Sequence, residues 1–521
     1  MNKQAILHLQ DSNYAYPKSV DKFVVRLRVA RNDDIQKVII EYGCKYTFYD
    51  VRFEKEMKIK YNDELYSYYE VELKLDDPRL AYVFRIYDSS NEMYYYFEEG
   101  LSKEFDYKNS FYNYFQYAHI NEVDIVEEVE WFKNAVFYQI FVDRFNRGKN
   151  KKDFSYITMQ KEDIPTPHSF YGGDLEGIYD KIEYLHSIGI NAIYLTPIFK
   201  SISNHKYDII DYEKIDEHFG NDEIFINLVK KAHEYGIKIV IDVVFNHCSN
   251  QHNYFNDDKY YDYFRRTKDG YMTFADCEYM PEWNGNNPKV VDYLIGITKN
   301  WIRKYDIDGL RLDVADELPH EFWRRFRKEV RKEKNDCIIV GEDWHDSYTY
   351  LLGDQFDSAM NYAFTKACVD YFATQKLDEK GLSDRLNMLL MRYREQNNKQ
   401  CFNLLDSHDK ERFYTQVGKS KNKLLAGLNL LMFYQGVPCI YYATEQMMEG
   451  EGDPYCRRAF DWDKKPEQEI LDILKLRKEK VLVDGDIQIY EKDGKLYVKR
   501  TLDDKTKTLV ISKNGEEFNV E

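Results

Sequence analysis

A chain of 521 residues, 43% hydrophobic and 32% charged, has material for two to four folded units and reads as soluble and globular. Its 74 Lys+Arg against 91 Asp+Glu give a formal charge of −17. That excludes a polyanion partner such as nucleic acid, whose phosphates need clustered cations, and disfavours adhesion to an anionic membrane. Tyrosine is used 47 times. The residue suits packed sheets, and it also suits sugar contact, where a C–H face lies on a ring; composition leaves both open.

In chain order, the N-terminus MNKQAILHLQ has no long apolar run and no small-residue cleavage site. No secretory leader is expected, and a cytoplasmic location is. No stretch approaches the roughly 18 apolar residues of a membrane helix. Residues 1–120 alternate or run apolar over short lengths, as in Phe23–Val29, Val38–Glu41, Tyr68–Leu75 and Leu80–Tyr87. Turn formers such as Asp76-Asp77-Pro78 and Asp88-Ser89-Ser90-Asn91 separate these runs. This pattern predicts an N-terminal β-sandwich. The acidic stretch 121–130 reads as a linker.

From Trp131 strand-like and helical runs alternate. Strands are expected at Val136–Phe141, Ala192–Leu195, Lys238–Val243, Gly309–Asp313, Ile338–Gly341, Ser358–Asn361, Cys401–Leu405 and Pro438–Tyr442. Helices fall between them, among them Phe225–Tyr235, ending at Gly236, and Lys289–Tyr305. Eight such units over 131–482 predict an α/β fold, a (β/α)8 TIM barrel. One connection, 247–288, is long and rich in Tyr, Asp and Asn, and reads as a loop subdomain after strand three. Residues 483–521 return to short β-like runs and form a short C-terminal β-domain. Eight cysteines, Cys44, Cys248, Cys277, Cys337, Cys368, Cys401, Cys439 and Cys456, form no CxxC pair and read as reduced thiols.

Barrel enzymes carry their catalytic groups where strands end. Here the predicted strand ends deliver Asp242, Asn246 and His247, then Arg311 and Asp313, then Glu342 with Trp344, then His408 and Asp409. A lone Asp at such a place is usually a turn or cap residue, a lone His a structural hydrogen-bonder, and Arg311 with Asp313 could be a plain ion pair, since i and i+2 share a strand face. The coincidence of four segments at one rim favours catalysis.

These segments resemble the α-amylase family (glycoside hydrolase family 13): DVVFNH at Asp242–His247, GLRLDVADE at Gly309–Glu317, GEDWH at Gly341–His345 and NLLDSHD at Asn403–Asp409. FYGGDLEGI at Phe170–Ile178, GINAIYLTPIF at Gly189–Phe199 and SNHKYDIIDY at Ser203–Tyr212 agree. The N-terminal β-domain, the His205–Asp208 segment, MPEWN at Met280–Asn284 and GDPYCRRAFDWD at Gly452–Asp463 are most similar to the neopullulanase, cyclomaltodextrinase and maltogenic amylase group.

The resemblance implies a retaining α-glucosidase chemistry with Asp313 as nucleophile, Glu342 as general acid/base, its pKa raised by burial and nearby charge, and Asp409 as a transition-state-stabilising carboxylate. It implies substrate contact through Tyr207, His247, Arg311, His408, Glu317 and Arg412, with Asp242 and Asn246 structural. Trp344 and Trp283 are either platforms on the leaving-group side or loop packing. The implied substrates are cyclomaltodextrins, maltooligosaccharides and pullulan, handled by a homodimer formed through the N-terminal domain, which could instead bind sugar. An exo-acting α-glucosidase or transglycosylase of the same family, and an inactive sugar-binding scaffold, are the alternatives; the intact Arg311, Asp313, Glu342 and Asp409 speak against the scaffold.

The chain departs from the family pattern in three places. Many relatives bind calcium in the loop after strand one, but Phe145–Asp153 carries Arg147, Lys149 and Lys152 where ligands would stand, near Gly173 and Asp174. Cations repel calcium, so no cofactor is expected, and an ammonium is expected beside Asp174. Asp316 stands where relatives usually have Asn, and Glu282 and Trp283 replace the usual Lys and Leu. The C-terminal β-domain is short.

Overall fold

The computed structural model describes residues 1–109, 113–149 and 153–521. They divide into two compact units: Met1–Glu128 with Leu377–Asn398 and Ile487–Lys499, and Val129–Lys376 with Lys399–Asp486 and Arg500–Glu521.

The first unit is built on a β-sandwich. Ala15–Ser19, Lys22–Ala30 and Tyr66–Lys74 lie on one side, and Lys37–Cys44, Leu80–Tyr87, Met93–Phe97 and Gly100–Ser102 on the other. Phe53–Asn62 joins them: its first half pairs with Lys37–Cys44 and its second, from Lys58 on and with an irregularity between Ile59 and Tyr61, with Tyr66–Lys74. Period-two patterning turns Val25, Leu27, Leu73, Val38, Ile40 and Phe84 into one shared core. Arg26 is buried in that unit, its charge met by Glu70 at 2.7 Å and the Tyr393 carbonyl at 3.0 Å. Tyr393 follows the helix Glu379–Arg392.

The second unit is the barrel. Its strands are Phe137–Ile140, Ala192–Leu195, Lys238–Val244, Gly309–Asp313, Ile338–Gly341, Ser358–Ala359, Phe402–Leu404 and Val437–Tyr441. Each runs parallel to its neighbours in the order 6-5-4-3-2-1-8-7, and a parallel bridge between Met360 and Phe402 joins strands six and seven. The strands are fully or almost fully buried, as expected when helices cover a parallel sheet from outside. Helix ends obey local chemistry. Asn221 caps Asp222–Glu234 by accepting from the Ile224 amide, and Gly236, at φ 70°, ends the turn where other residues would be strained. Pro288–Tyr305 starts on proline behind the Asn287 cap and stops at left-handed Asp306.

The long connection after strand three holds a two-stranded hairpin, Arg266–Thr267 with Gly270–Tyr271, and short 3-10 turns. Residues 486–520 form a four-stranded sheet in chain order. No helix among the described residues is long and apolar enough to cross a membrane.

Candidate active site

Strand four sets the site. Arg311 and Asp313 share one face of a wholly buried strand, and register places Asp242 of strand three beside Arg311. The Arg311 guanidinium gathers three carboxyls. Its Nη1 donates to Asp242 at 2.9 and 3.0 Å and to Asp313 at 2.9 Å, while Nη2 lies 2.6 Å from Glu342 Oε1. Glu342 directly follows strand five, its amide bonded to the Leu312 carbonyl at 2.9 Å. Its other oxygen accepts from the Val314 amide at 3.2 Å, and Oε1 accepts from the Tyr362 hydroxyl at 3.1 Å. Val314 aims that amide by adopting φ 46°, ψ 49°, a left-handed geometry that a β-branched residue avoids at a cost of about 1–3 kcal/mol.

A second chain of bonds crosses the rim. Gln139 of strand one bonds His408 Nδ1 at 2.7 Å, and His408 Nε2 meets the Tyr207 hydroxyl at 2.6 Å; Tyr207 donates to Asp242 at 2.9 Å. With Nδ1 accepting from the amide, the His408 proton sits on Nε2, which also lies 3.2 Å from Asp409. Tyr207 comes from the turn before the strand Ile209–Ile215, held by buried Lys206 paired to Asp216 at 2.8 Å. His247 is fully buried, stacked on Phe274 at 4.5 Å, and no side chain partners its ring nitrogens.

The electrostatics follow from burial. Asp242 is pushed up to about 6 by burial, against the pull of Arg311 and two phenols. Burial also raises Asp313 well above the ordinary carboxylate range, with Glu342, Asp242 and Asp409 adding to it and Arg311 opposing. Burial thus raises Asp242 and Asp313 alike, although both pair with the same guanidinium. Desolvation drives His247 down to about 3 and His408 well below its usual value, so both are neutral hydrogen-bonding groups.

These groups open on a cleft of about 550 Å³. Its walls include Asp313, Glu342, Asp409, Tyr207, His247, Trp344 and Glu317. Residues 139–271 and 258–480 match the alpha amylase catalytic domain, and residues 1–121 the alpha amylase N-terminal ig-like domain.

The chain belongs to the α-amylase family.

Among similar members, a cyclomaltodextrinase of Thermoanaerobacter pseudethanolicus is 41% identical over 483 residues, 89% of this chain and 83% of that protein. An intracellular maltogenic amylase of Bacillus subtilis is 37% identical over 97% of this chain and 90% of its own length. A solved structure of a cyclomaltodextrinase matches with a TM-score of 0.92 at 34% identity, covering 98% of this chain and 91% of that one. Family membership makes this chain an α-glycosidase on a TIM barrel with an N-terminal sheet domain.

Two expected substrate contacts are corrected. Trp283 is fully buried in the loop subdomain, stacked on Phe264 at 4.6 Å with its indole N–H on Tyr212 at 3.2 Å, so its role is packing. Arg412 is also buried, donating to the Cys456 and Tyr442 carbonyls over the Tyr441 ring. The arginine on the cleft is Arg457, which donates to the His408 carbonyl at 2.8 Å and pairs with Asp409 at 3.3 Å and Asp453 at 2.9 Å. Asp453 and Arg457 stand four residues apart in the turn that opens the Gly452–Asp463 segment. His205, Phe274, Met280, Val314, Asp316, His345 and Asp453 also line the cleft without having been singled out as site residues. Asn246 bonds Glu317 at 2.9 Å and is itself buried.

The region where the family resemblance places a calcium site lies around Asp174. Asp174 caps the helix Leu175–Asp180, its Oδ1 accepting from the Gly148 amide at 2.9 Å and the Gly177 amide at 2.7 Å. The loop backbone packs so tightly on Gly177 that a Cβ would fall 2.0 Å from the Asn146 carbonyl. Arg147 donates to the Tyr171 carbonyl at 2.8 Å. Calcium needs six to eight oxygens, and Asp174 Oδ1 already accepts from two amides. The ammonium expected beside Asp174 would come from Lys149 or Lys152. Lys152 lies outside the described residues. Among those described, no group of His, Cys, Asp and Glu is arranged to hold a metal.

Proposed function

We propose that this α-glycosidase hydrolyses cyclomaltodextrins, short maltooligosaccharides and pullulan with retention of configuration. Glu342 protonates the glycosidic oxygen while Asp313 attacks C1. Water then attacks the glycosyl ester, its proton passing to Glu342, and Asp313 leaves as carboxylate. One observation carries this: Asp313 and Glu342 both pair with the Arg311 guanidinium, at 2.9 and 2.6 Å. That favours the short separation of a retaining pair, about 5–5.5 Å, over the roughly 6.5–9.5 Å an inverting pair needs for its water. Asp409 accepts from hydroxyls of the distorted ring, neutral His247 and His408 donate to it, and the Tyr207 ring lies along its face. Asp242 orients Arg311.

The relatives' names support the substrate range, since one acts on cyclomaltodextrins and another is an intracellular maltogenic amylase. The protein works in the cytoplasm, without calcium, as a homodimer whose N-terminal domains wall the clefts and favour small substrates. Parallel assays on β-cyclodextrin, pullulan and soluble starch, with Asp313→Asn as blank, test this reading. Fast cyclodextrin opening and slow starch hydrolysis are expected; equal rates would mean an open cleft and would end the dimer-wall account.

A further inference from the structure

Trp344 is 43% exposed at the cleft, and two groups pack on its indole. The Tyr362 ring stacks on it at 4.1 Å and 12°. The Lys410 ammonium stands 4.0 Å over the same indole. Two groups at these distances cannot share a face, so the indole is held between them. Tyr362 is buried and its hydroxyl donates to Glu342. Lys410 is half-buried, directly follows Asp409, and among the described residues its ammonium has no carboxylate within ion-pair distance. The ring is its partner, a cation–π contact.

We propose that Lys410 is a positioning residue for the general acid and a gate on acceptor choice: it clamps Trp344 onto Tyr362, fixing the phenol on Glu342, and closes the indole face on which an acceptor sugar would otherwise stack. The proposal rests on Glu342 acting as acid/base. Glycosyl-Asp313 breaks its C1–O ester bond when an incoming oxygen bonds C1, and the proton of that oxygen goes to Glu342. Water and a sugar hydroxyl both satisfy this balance, so the partition depends on how well an acceptor sugar is held. A blocked indole face favours water.

The charge has its own consequence. Glu342 is faced by the cations Arg311 and Lys410, by Asp313 and Asp316, by the Tyr362 and Tyr194 phenols and by His408. Removing one cation makes the Glu342 proton harder to lose, so the basic limb of the pH profile moves up.

The experiment uses the full chain and the variants Lys410→Met, Lys410→Ala, Lys410→Arg and Glu342→Gln, with β-cyclodextrin for pH profiles and concentrated maltotriose for product partition. Lys410→Met should raise the basic limb of kcat/KM by roughly 0.3–1 unit, and Lys410→Arg should restore the wild-type limb. Lys410→Ala should shift the limb likewise and also raise the ratio of transfer products to hydrolysis several-fold. Glu342→Gln should lose the basic limb altogether. If it does and the Lys410→Met and Lys410→Ala variants keep both the wild-type limb and partition, the role of Lys410 is overturned while the mechanism stands. If Glu342→Gln keeps the limb, the acid/base assignment falls and the role of Lys410 with it.

Discussion

Arg311 is the residue on which the site turns, because its one guanidinium bonds Asp242 and Asp313 and touches Glu342. Replacing Glu342 by Gln removes a proton donor and should lower kcat on unactivated substrates by about 10²–10⁴-fold. Steady-state rates with β-cyclodextrin check this. The pH dependence follows from the direction of the Asp313 shift. A nucleophile must be anionic, and a raised pKa means the anion appears only at higher pH. The acid limb of kcat/KM should therefore lie above the usual aspartate value of about 4, and a limb below that value would contradict the crowded-carboxyl account. The sequence made these residues legible because they end predicted strands inside four spaced motifs. It did not separate Arg412 from Arg457, since both are arginines beside site segments and only packing decides which one reaches the cleft. Nor did it reveal Tyr362, whose hydroxyl reaches Glu342 only once strand six and the following helix are placed.

At the level of elements, the loop subdomain after strand three illustrates how tertiary packing settles what pattern leaves open. Trp283 could have been platform or filler; Phe264, Tyr212 and His252 surround it and make it filler. Trp283→Ala should cost about 3–5 kcal/mol of stability, seen as a lower Tm. Trp344→Ala should leave Tm nearly unchanged and alter KM and product partition instead. A matching pair of outcomes, Arg412→Met lowering Tm and Arg457→Met lowering kcat/KM, separates the buried arginine from the cleft arginine. The barrel strands themselves were legible to within a few residues. Buried parallel strands are short apolar runs, and helix stops such as Gly236 punctuate them. The exception is strand six, only Ser358–Ala359, where a predicted longer run passes instead into Asn361, the cap of the next helix.

For the whole molecule, the proposed calcium-independence predicts that EDTA leaves both Tm and activity unchanged. A loss of either on chelation, restored by calcium, would contradict it. The proposed homodimer predicts a mass of twice 62.7 kDa by light scattering at assay concentration. Domain boundaries were read from changes of rhythm along the chain. A rhythm cannot show that a late helix such as Glu379–Arg392 belongs to the same compact unit as the N-terminal sandwich, because that depends on contacts between residues hundreds of positions apart. The central claim remains covalent catalysis by Asp313. Its most direct test is to trap the intermediate with a slow fluorinated α-glucosyl donor and map the added mass by peptide mass spectrometry. The account predicts one glucosyl adduct on Asp313; an adduct on another carboxylate, or no adduct together with a β-anomeric first product, would contradict it.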